Sequence, residues 1–157
     1  MLKMHEAYIE VIALVEQLHR QFLDLVKLEL DGQGIYDVSN VQALMLFNIG
    51  DAEMSIGDLI LRGCYLGSNV SYNAKKLAEN GYITHLRSPY DRRSVHVRLT
   101  EKGLELRARL QAMHHRHVEL LNHTTMITAD NLQAVAGTLR QFERFWNNVL
   151  QQSITAA

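Results

Sequence analysis

SIGDLILRGCYLGSNVSYNAKKLAENGYITHLRSPYDRRSVHVRLTEKG, running from Ser55 to Gly103, changes hydrophobic period three times. Ser55-Ile56-Gly57-Asp58 has the Ser-x-x-acid spacing of a helix N-terminus, and Leu59, Ile60 and Leu61 follow it to a stop near Gly63. Cys64-Tyr65-Leu66-Gly67 supplies a turn, and a second helix is predicted from about Ser68 to Asn80. Val70, Ala74 and Leu77 form its one narrow apolar stripe, and Gly81 terminates it in the left-handed conformation. Tyr82 to Arg87 then alternates as a strand. Ser88-Pro89-Tyr90-Asp91-Arg92-Arg93 makes a turn tip, and Val95, Val97 and Leu99 alternate with His96 and Arg98 as the return strand. The order is helix, turn, helix, strand, charged hairpin, strand. A helix with so thin an apolar stripe buries one edge and presents the other.

The same stretch is where the charge sits. It holds eight basic and four acidic residues, a local charge of +4, while the remainder of the chain holds eight against thirteen, or −5. A basic segment within a protein of net charge −1 points to a local anionic partner.

The flanks read as long helices. Ile9, Ile12, Val15, Leu18, Phe22, Leu25 and Val26 recur at helical spacing over residues 5–30, ended by Asp31-Gly32-Gln33-Gly34. Ser39-Asn40-Val41-Gln42 is a capping box that opens a short, very apolar helix from Val41 to Ile49, stopped by Gly50. Thr100 caps a helix to about His123, with Leu106, Leu110, Met113, His117 and Leu120 in steps of four and three. The last helix starts after Thr128 and runs to about Gln151. Leu132, Val135, Leu139, Phe142, Trp146 and Val149 form its heptad seam. The predicted fold is mainly α with a small β-hairpin. Residues 38–100 would form a compact lobe, and residues 5–30 and 101–151 helices that pair two copies into a homodimer. An intramolecular helical pair is the alternative use of the seams.

Composition excludes several classes. The 157 residues are 47% hydrophobic and 21% charged, an ordinary globular balance. No apolar run approaches the roughly 20 residues of a membrane span, so no membrane partner is expected. Glu6 and Glu10 at the N-terminus do not suit a signal peptide, and a lone cysteine, Cys64, is compatible with a reducing cytoplasm. There is no Gly-rich phosphate loop, nucleophile motif or carboxylate pair, which argues against an enzyme. No cofactor is expected.

The exposed side of the second helix carries groups that suit a nucleic-acid duplex. A helix of this kind lies in the major groove with its N-terminal residues nearest the base edges. Asn69 can read adenine through its amide, and Ser68 and Ser71 can meet bases or phosphates. Tyr72, Lys75 and Lys76 suit phosphates, which position without specifying. At the hairpin, Arg92 and Arg93 can enter an adjacent minor groove, where the potential is most negative over A·T-rich sequence. Asp91 would accept from Arg93 and hold it in place. Arg87, at the hairpin's base, completes the basic set.

Asp91-Arg92-Arg93-Ser94 followed by Val95-His96-Val97-Arg98-Leu99-Thr100-Glu101-Lys102-Gly103 resembles the wing signature of the MarR family of winged-helix regulators. Leu59 through Gly81, ending in Ala78-Glu79-Asn80-Gly81-Tyr82-Ile83, is similar to that family's helix-turn-recognition-helix without a gap. The flanking helices match in order and length. The Cys64-Tyr65-Leu66 turn departs from the Gly-Leu-Ser type common in the family. The GCYLGSNVSYN run is also similar to the LdtR-type subgroup, linked to cell-wall remodelling. The resemblance implies a homodimeric repressor of a pseudo-palindromic operator in double-stranded DNA. It places recognition-helix contacts on Ser68, Asn69, Ser71, Tyr72 and Lys75, and wing contacts on Asp91 and Arg93. It also implies release by a small aromatic or phenolic effector bound between the dimerisation helices and the DNA-binding lobe. His19, Phe22, Phe47 and Met113 are the candidate lining residues. Three alternatives stay open: a metal response through His114, His115, His117, Glu119 and His123, where His115 and Glu119 have chelating spacing; a redox response through Cys64; and a winged helix used only for protein–protein contact.

Overall fold

A computed structural model describes residues 1–63, 67–87 and 95–155. Side-chain caps mark where most of its helices begin. α1 (Leu2–Gly32) starts behind Met1 with no side-chain cap and extends three residues ahead of the predicted start, through a segment that carries no start signal. Past its end, Gly34 takes a φ of 69°. α2 (Asn40–Ile49) opens with the predicted capping box: Ser39 Oγ accepts from the Gln42 N–H, and Gln42 Oε1 accepts from the Ser39 N–H. Gly50, at φ 76°, ends it. Ala43, Met45, Leu46 and Ile49 of α2 are buried, so this short helix is the centre of the lobe.

A strand that the hydrophobic pattern does not reveal follows. β1 (Met54–Ser55) pairs antiparallel with β3 (Val95–Leu99), Met54 opposite Val97 and Ser55 opposite His96. β2 (Ile83–Arg87) pairs with β3 from the other side, giving a three-stranded antiparallel sheet of order β1-β3-β2. The predicted hairpin is present as β2 and β3, and β1 adds a third strand to it. Two residues are too few to show period-two alternation, and only their partner on β3 makes them a strand. Ser55 also caps α3 (Ile56–Gly63), accepting from the Asp58 N–H at 3.0 Å and donating to Asp58 Oδ2 at 2.7 Å.

α4 (Gly67–Glu79) buries Val70, Ala74 and Leu77 and exposes most of the rest. α5 (Glu101–Thr124) is capped by Thr100, whose Oγ1 accepts from the Gly103 N–H at 3.1 Å. α6 (Ala129–Thr155) starts on a reciprocal cap between Thr128 and Asn131 and runs a turn beyond the predicted end.

The chain divides into two compact units, Met1–Met113 and His114–Ala157. In the first, Val26 and Leu30 of α1, the buried face of α2, Leu59, the α4 stripe, Tyr82, Ile83, Val97 and Leu99 share one core with Leu106, Leu110 and Met113 of α5. The front of the α5 seam therefore belongs to the core of its own lobe, which continues past residue 100. Its rear differs: Val118 and Leu120 are exposed. Leu132, Val135, Leu139 and Val149 of α6 keep 41–56% of their surface open. Among the described residues no helix is long and apolar enough to cross a membrane.

Candidate nucleic-acid interface

With about 100° of rotation per residue, the buried Val70, Ala74 and Leu77 centre on one edge of α4, and the opposite edge falls between Ser68, Tyr72 and Glu79. Asn69, Ser71, Tyr72 and Lys75 are exposed, and Tyr72 keeps 61% of its surface open. Ser68 stands in the first turn of α4, and Arg87 ends β2. Ser71 leans toward the sheet, lining a cavity of about 550 Å³ with Ser55, Ile56, His85 and Val95. Asn73 leans the other way. Its Oδ1 accepts from Gln42 Nε2 at 3.2 Å, so it is engaged with α2. Gln42 is buried at 9% and satisfies both ends of its amide, one in the α2 cap and one on α4. Asp91, Arg92 and Arg93 lie outside the described residues, as does Cys64 and with it the redox reading.

Lys75 and Lys76 are already engaged. Lys76 Nζ donates to Glu79 Oε2 at 2.9 Å, and Lys75 Nζ stands 3.9 Å from Glu79 Oε1. The hydrogen bond to Glu79 holds Lys76 above the ordinary lysine pKa, and the same bond holds Glu79 below the ordinary carboxylate value. All three side chains are exposed enough for water and salt to weaken the pairing. The phosphates assigned to these lysines must therefore compete with Glu79.

The geometry adds residues that sequence patterns do not assign. Where α4 ends, Gly81 takes a φ of 78°, and five side chains converge on it from segments far apart in the chain. Asp37, ahead of α2, accepts from the Tyr82 hydroxyl at 2.8 Å and from Lys102 Nζ at 2.8 Å. Lys102 Nζ also donates to the Asn80 carbonyl at 2.8 Å and lies 4.1 Å from the centre of the Tyr82 ring. Asn80 Nδ2 donates to the Asp37 carbonyl, and Thr100 Oγ1 donates to the Gly81 carbonyl at 2.6 Å. Burial pulls the Asp37 pKa upward, but the hydrogen bonds from Lys102 and Tyr82 and the Lys102 charge outweigh it and hold it below the usual value. Burial and the bond to Asp37 push the Tyr82 phenol well above its ordinary range. This cluster fixes the exit of α4 to the entry of both α2 and α5. Its members span Asp37 to Lys102, a separation no local pattern can report.

The candidate effector residues differ widely in burial. His19 is exposed on α1, Met113 is fully buried, and Phe22 and Phe47 pack half-buried against the core. The Arg107 guanidinium lies 5.5 Å from the Phe47 ring centre, held at 2.7 Å by Asp51. Among the described residues no three His, Cys, Asp or Glu side chains are grouped to hold a metal. Burial, then the charges of His117 and His115, lowers the His114 pKa.

Residues 38–103 match the family model of a winged helix DNA-binding domain. The exopolysaccharide II synthesis transcriptional activator ExpG of Rhizobium meliloti (strain 1021) is 37% identical over 147 residues, 94% of this chain and 75% of that protein. Staphylococcus aureus MarR in complex with salicylate and kanamycin superposes with a TM-score of 0.74 at 21% identity, covering 93% of this chain and 96% of that one. Streptococcus pneumoniae FabT in complex with DNA gives 0.71 at 21% identity, covering 90% and 99%.

Proposed function

From the premise that the chain belongs to the MarR family of winged-helix transcriptional regulators, we propose that it binds a pseudo-palindromic operator in double-stranded DNA as a homodimer. The recognition helix α4 enters the major groove, and the wing between β2 and β3 enters the adjacent minor groove. The observation that carries this is α4 itself: it buries three residues on one edge, is braced at its exit by Asp37, Lys102 and Thr100, and leaves Asn69, Tyr72 and Lys75 exposed on a fixed frame. Two copies would bring two such helices to half-sites about one helical turn apart.

The homodimer reading is supported by apolar surface. Leu14, Leu18, Leu25 and Leu28 share one face of α1 and are exposed in the single chain, and so are Leu132, Val135, Leu139 and Val149 of α6; exposed apolar rows of this kind suit a protein partner. A small aromatic or phenolic effector would act by favouring a lobe spacing that cannot span two half-sites. The salicylate in the S. aureus MarR structure supports that ligand class. Whether binding represses or activates follows from operator position relative to a promoter. The sequence resemblance implies a repressor, whereas the name of the R. meliloti relative favours activation.

The test is duplex binding at several salt concentrations, using promoter DNA of the target region and an unrelated duplex. A DNA-reading dimer loses affinity steeply as salt rises. Arg93→Ala is expected to weaken operator binding at least about tenfold with the dimer intact, and Lys75→Ala to weaken all duplexes alike. Salt-independent binding, or none, would leave a protein–protein role as the better reading.

A further inference from the structure

We propose that the groove between α4 and the loop ahead of α2 seats the sugar-phosphate backbone of the same duplex, with Tyr36, Ser39 and Lys27 as its contacts. The inference rests on the DNA-binding reading and extends it to a part of the chain that the helix-turn-helix and the wing do not include.

The argument begins with widths. An α-helix with its side chains is roughly 10–12 Å across, and the major groove is roughly 12 Å wide. A helix lying in that groove fills it, so whatever flanks the helix faces the two backbone strands. One flank of α4 is the wing side, marked by Ser71. The other is the side of Asn73 and Lys76, where a cavity of about 410 Å³ opens between Tyr72 and Lys76 of α4 and Lys27, Tyr36, Ser39 and Gln42 across from them. Tyr72 and Lys76 are thus at once part of the DNA-facing surface and one wall of this groove.

The chemistry of the opposite wall suits a phosphodiester, which only accepts hydrogen bonds. Tyr36 is 77% exposed, and its hydroxyl has no hydrogen-bond partner among the described residues. Ser39 Oγ already accepts from the Gln42 N–H at 3.2 Å, which leaves its O–H to donate outward. Lys27 Nζ donates to Asp31, and an ammonium has two further protons. The acid in the lining, Asp37, has one oxygen engaged by Tyr82 and the other by Lys102, so its charge is countered from within the lobe. Tyr36, Ser39 and Lys27 thus each keep a donor for an incoming phosphate oxygen.

The experiment compares wild type, Tyr36→Phe, Lys27→Gln and, as a control outside the groove, Lys75→Ala. Fluorescence anisotropy is read on an operator duplex and an unrelated duplex at several salt concentrations. Tyr36→Phe removes one exposed hydroxyl and should leave the thermal midpoint unchanged, while weakening both duplexes between about threefold and tenfold. The ratio of specific to non-specific affinity should not move, because a backbone contact positions without specifying. Lys27→Gln should make the salt dependence shallower by about 0.9 per chain. Phosphate-ethylation interference should lose one backbone patch per half-site in Tyr36→Phe. Wild-type affinity in both groove variants, with Lys75→Ala weakened, overturns this inference and leaves the operator-binding function standing. Absence of duplex binding by the wild-type protein overturns both. Stabilisation of the wild type by inorganic phosphate, abolished by Tyr36→Phe with duplex affinity unchanged, assigns the groove to a small anion and overturns the proposal.

Discussion

Gly103→Ala separates what helix propensity expects from what the packing requires, because the two differ in sign. Gly103 lies in the first turn of α5, and a glycine within a helix is worse than alanine by about 1 kcal/mol. On propensity alone the substitution stabilises. In the folded chain a Cβ at this position would stand 2.1 Å from the Tyr82 carbonyl oxygen, 3.2 Å from its carbonyl carbon and 3.3 Å from Leu99 Cβ. Ordinary contact begins near 3.4 Å, so backbone must move apart by about 1.3 Å. That carbonyl also accepts the Thr100 N–H at 3.0 Å, the bond that joins the exit of α4 to the entry of α5. Overpacking of this kind costs about 1–3 kcal/mol, and weakening the hydrogen bond costs about 1 kcal/mol more. Against the propensity gain, the net is a destabilisation of about 2 kcal/mol. For a chain of this length that lowers Tm by roughly 4–8 °C, measured by thermal unfolding at fixed protein concentration because a dimer of the proposed kind would be linked to folding. Gly137→Ala on α6 is the control: nothing lies within 4 Å of its added Cβ, so it should stabilise by up to about 1 kcal/mol. A Gly103→Ala protein as stable as wild type would refute the close approach of α5 to Tyr82.

Other expectations follow from the same frame. Glu79→Gln frees Lys75 and Lys76 from their shared partner, so affinity for specific and non-specific duplexes should rise together by a few-fold; unchanged binding in anisotropy titrations would show that neither lysine reaches DNA. Asp37 has a folded pKa below its unfolded one, so its contribution is complete above the usual carboxylate pKa and is lost as pH falls through the depressed value. Asp37→Asn should therefore flatten the decline of stability below about pH 4, as read by urea midpoints across pH. Tyr82 runs the opposite way: its raised pKa keeps the phenol neutral and hydrogen-bonded until strongly alkaline pH, and Tyr82→Phe should remove a late-ionising phenol from the ultraviolet titration. Leu139→Glu places a charge in the exposed α6 seam and should yield monomers by sedimentation while the lobe keeps its helical signal.

The helices whose starts are written as side-chain chemistry were legible before any coordinates. Ser39 with Gln42, Ser55 with Asp58, Thr100 and Thr128 each announce an N-terminus within a few residues of their own position, and Gly50 and Gly81 announce ends by needing positive φ. The thin stripe of Val70, Ala74 and Leu77 told which edge of α4 is buried. α1 lacks a cap and its start was placed late; β1 has two residues and no period. The heptad seam of α5 shows a further limit. Leu106, Leu110 and Met113 pack into their own lobe while Val118 and Leu120 are exposed, and one continuous pattern cannot say where along it the partner changes. The candidate site divides along the same line. Which residues of α4 face outward follows from a local period, so Asn69, Tyr72 and Lys75 were readable. What holds that face in place is not local. Asp37 reaches Lys102 across 65 residues, and Gln42 reaches Asn73 across 31. The motif residues from Asn80 to Tyr82 and from Thr100 to Gly103 acquire their meaning there: they are the two sides of one joint, and Gly103 has no side chain because the Tyr82 carbonyl occupies its place. A recognition helix free to swivel would spend its contacts on any duplex. In the proposed complex the joint would convert an exposed polar face into a reader with a fixed angle, and it ties that angle to the start of α5.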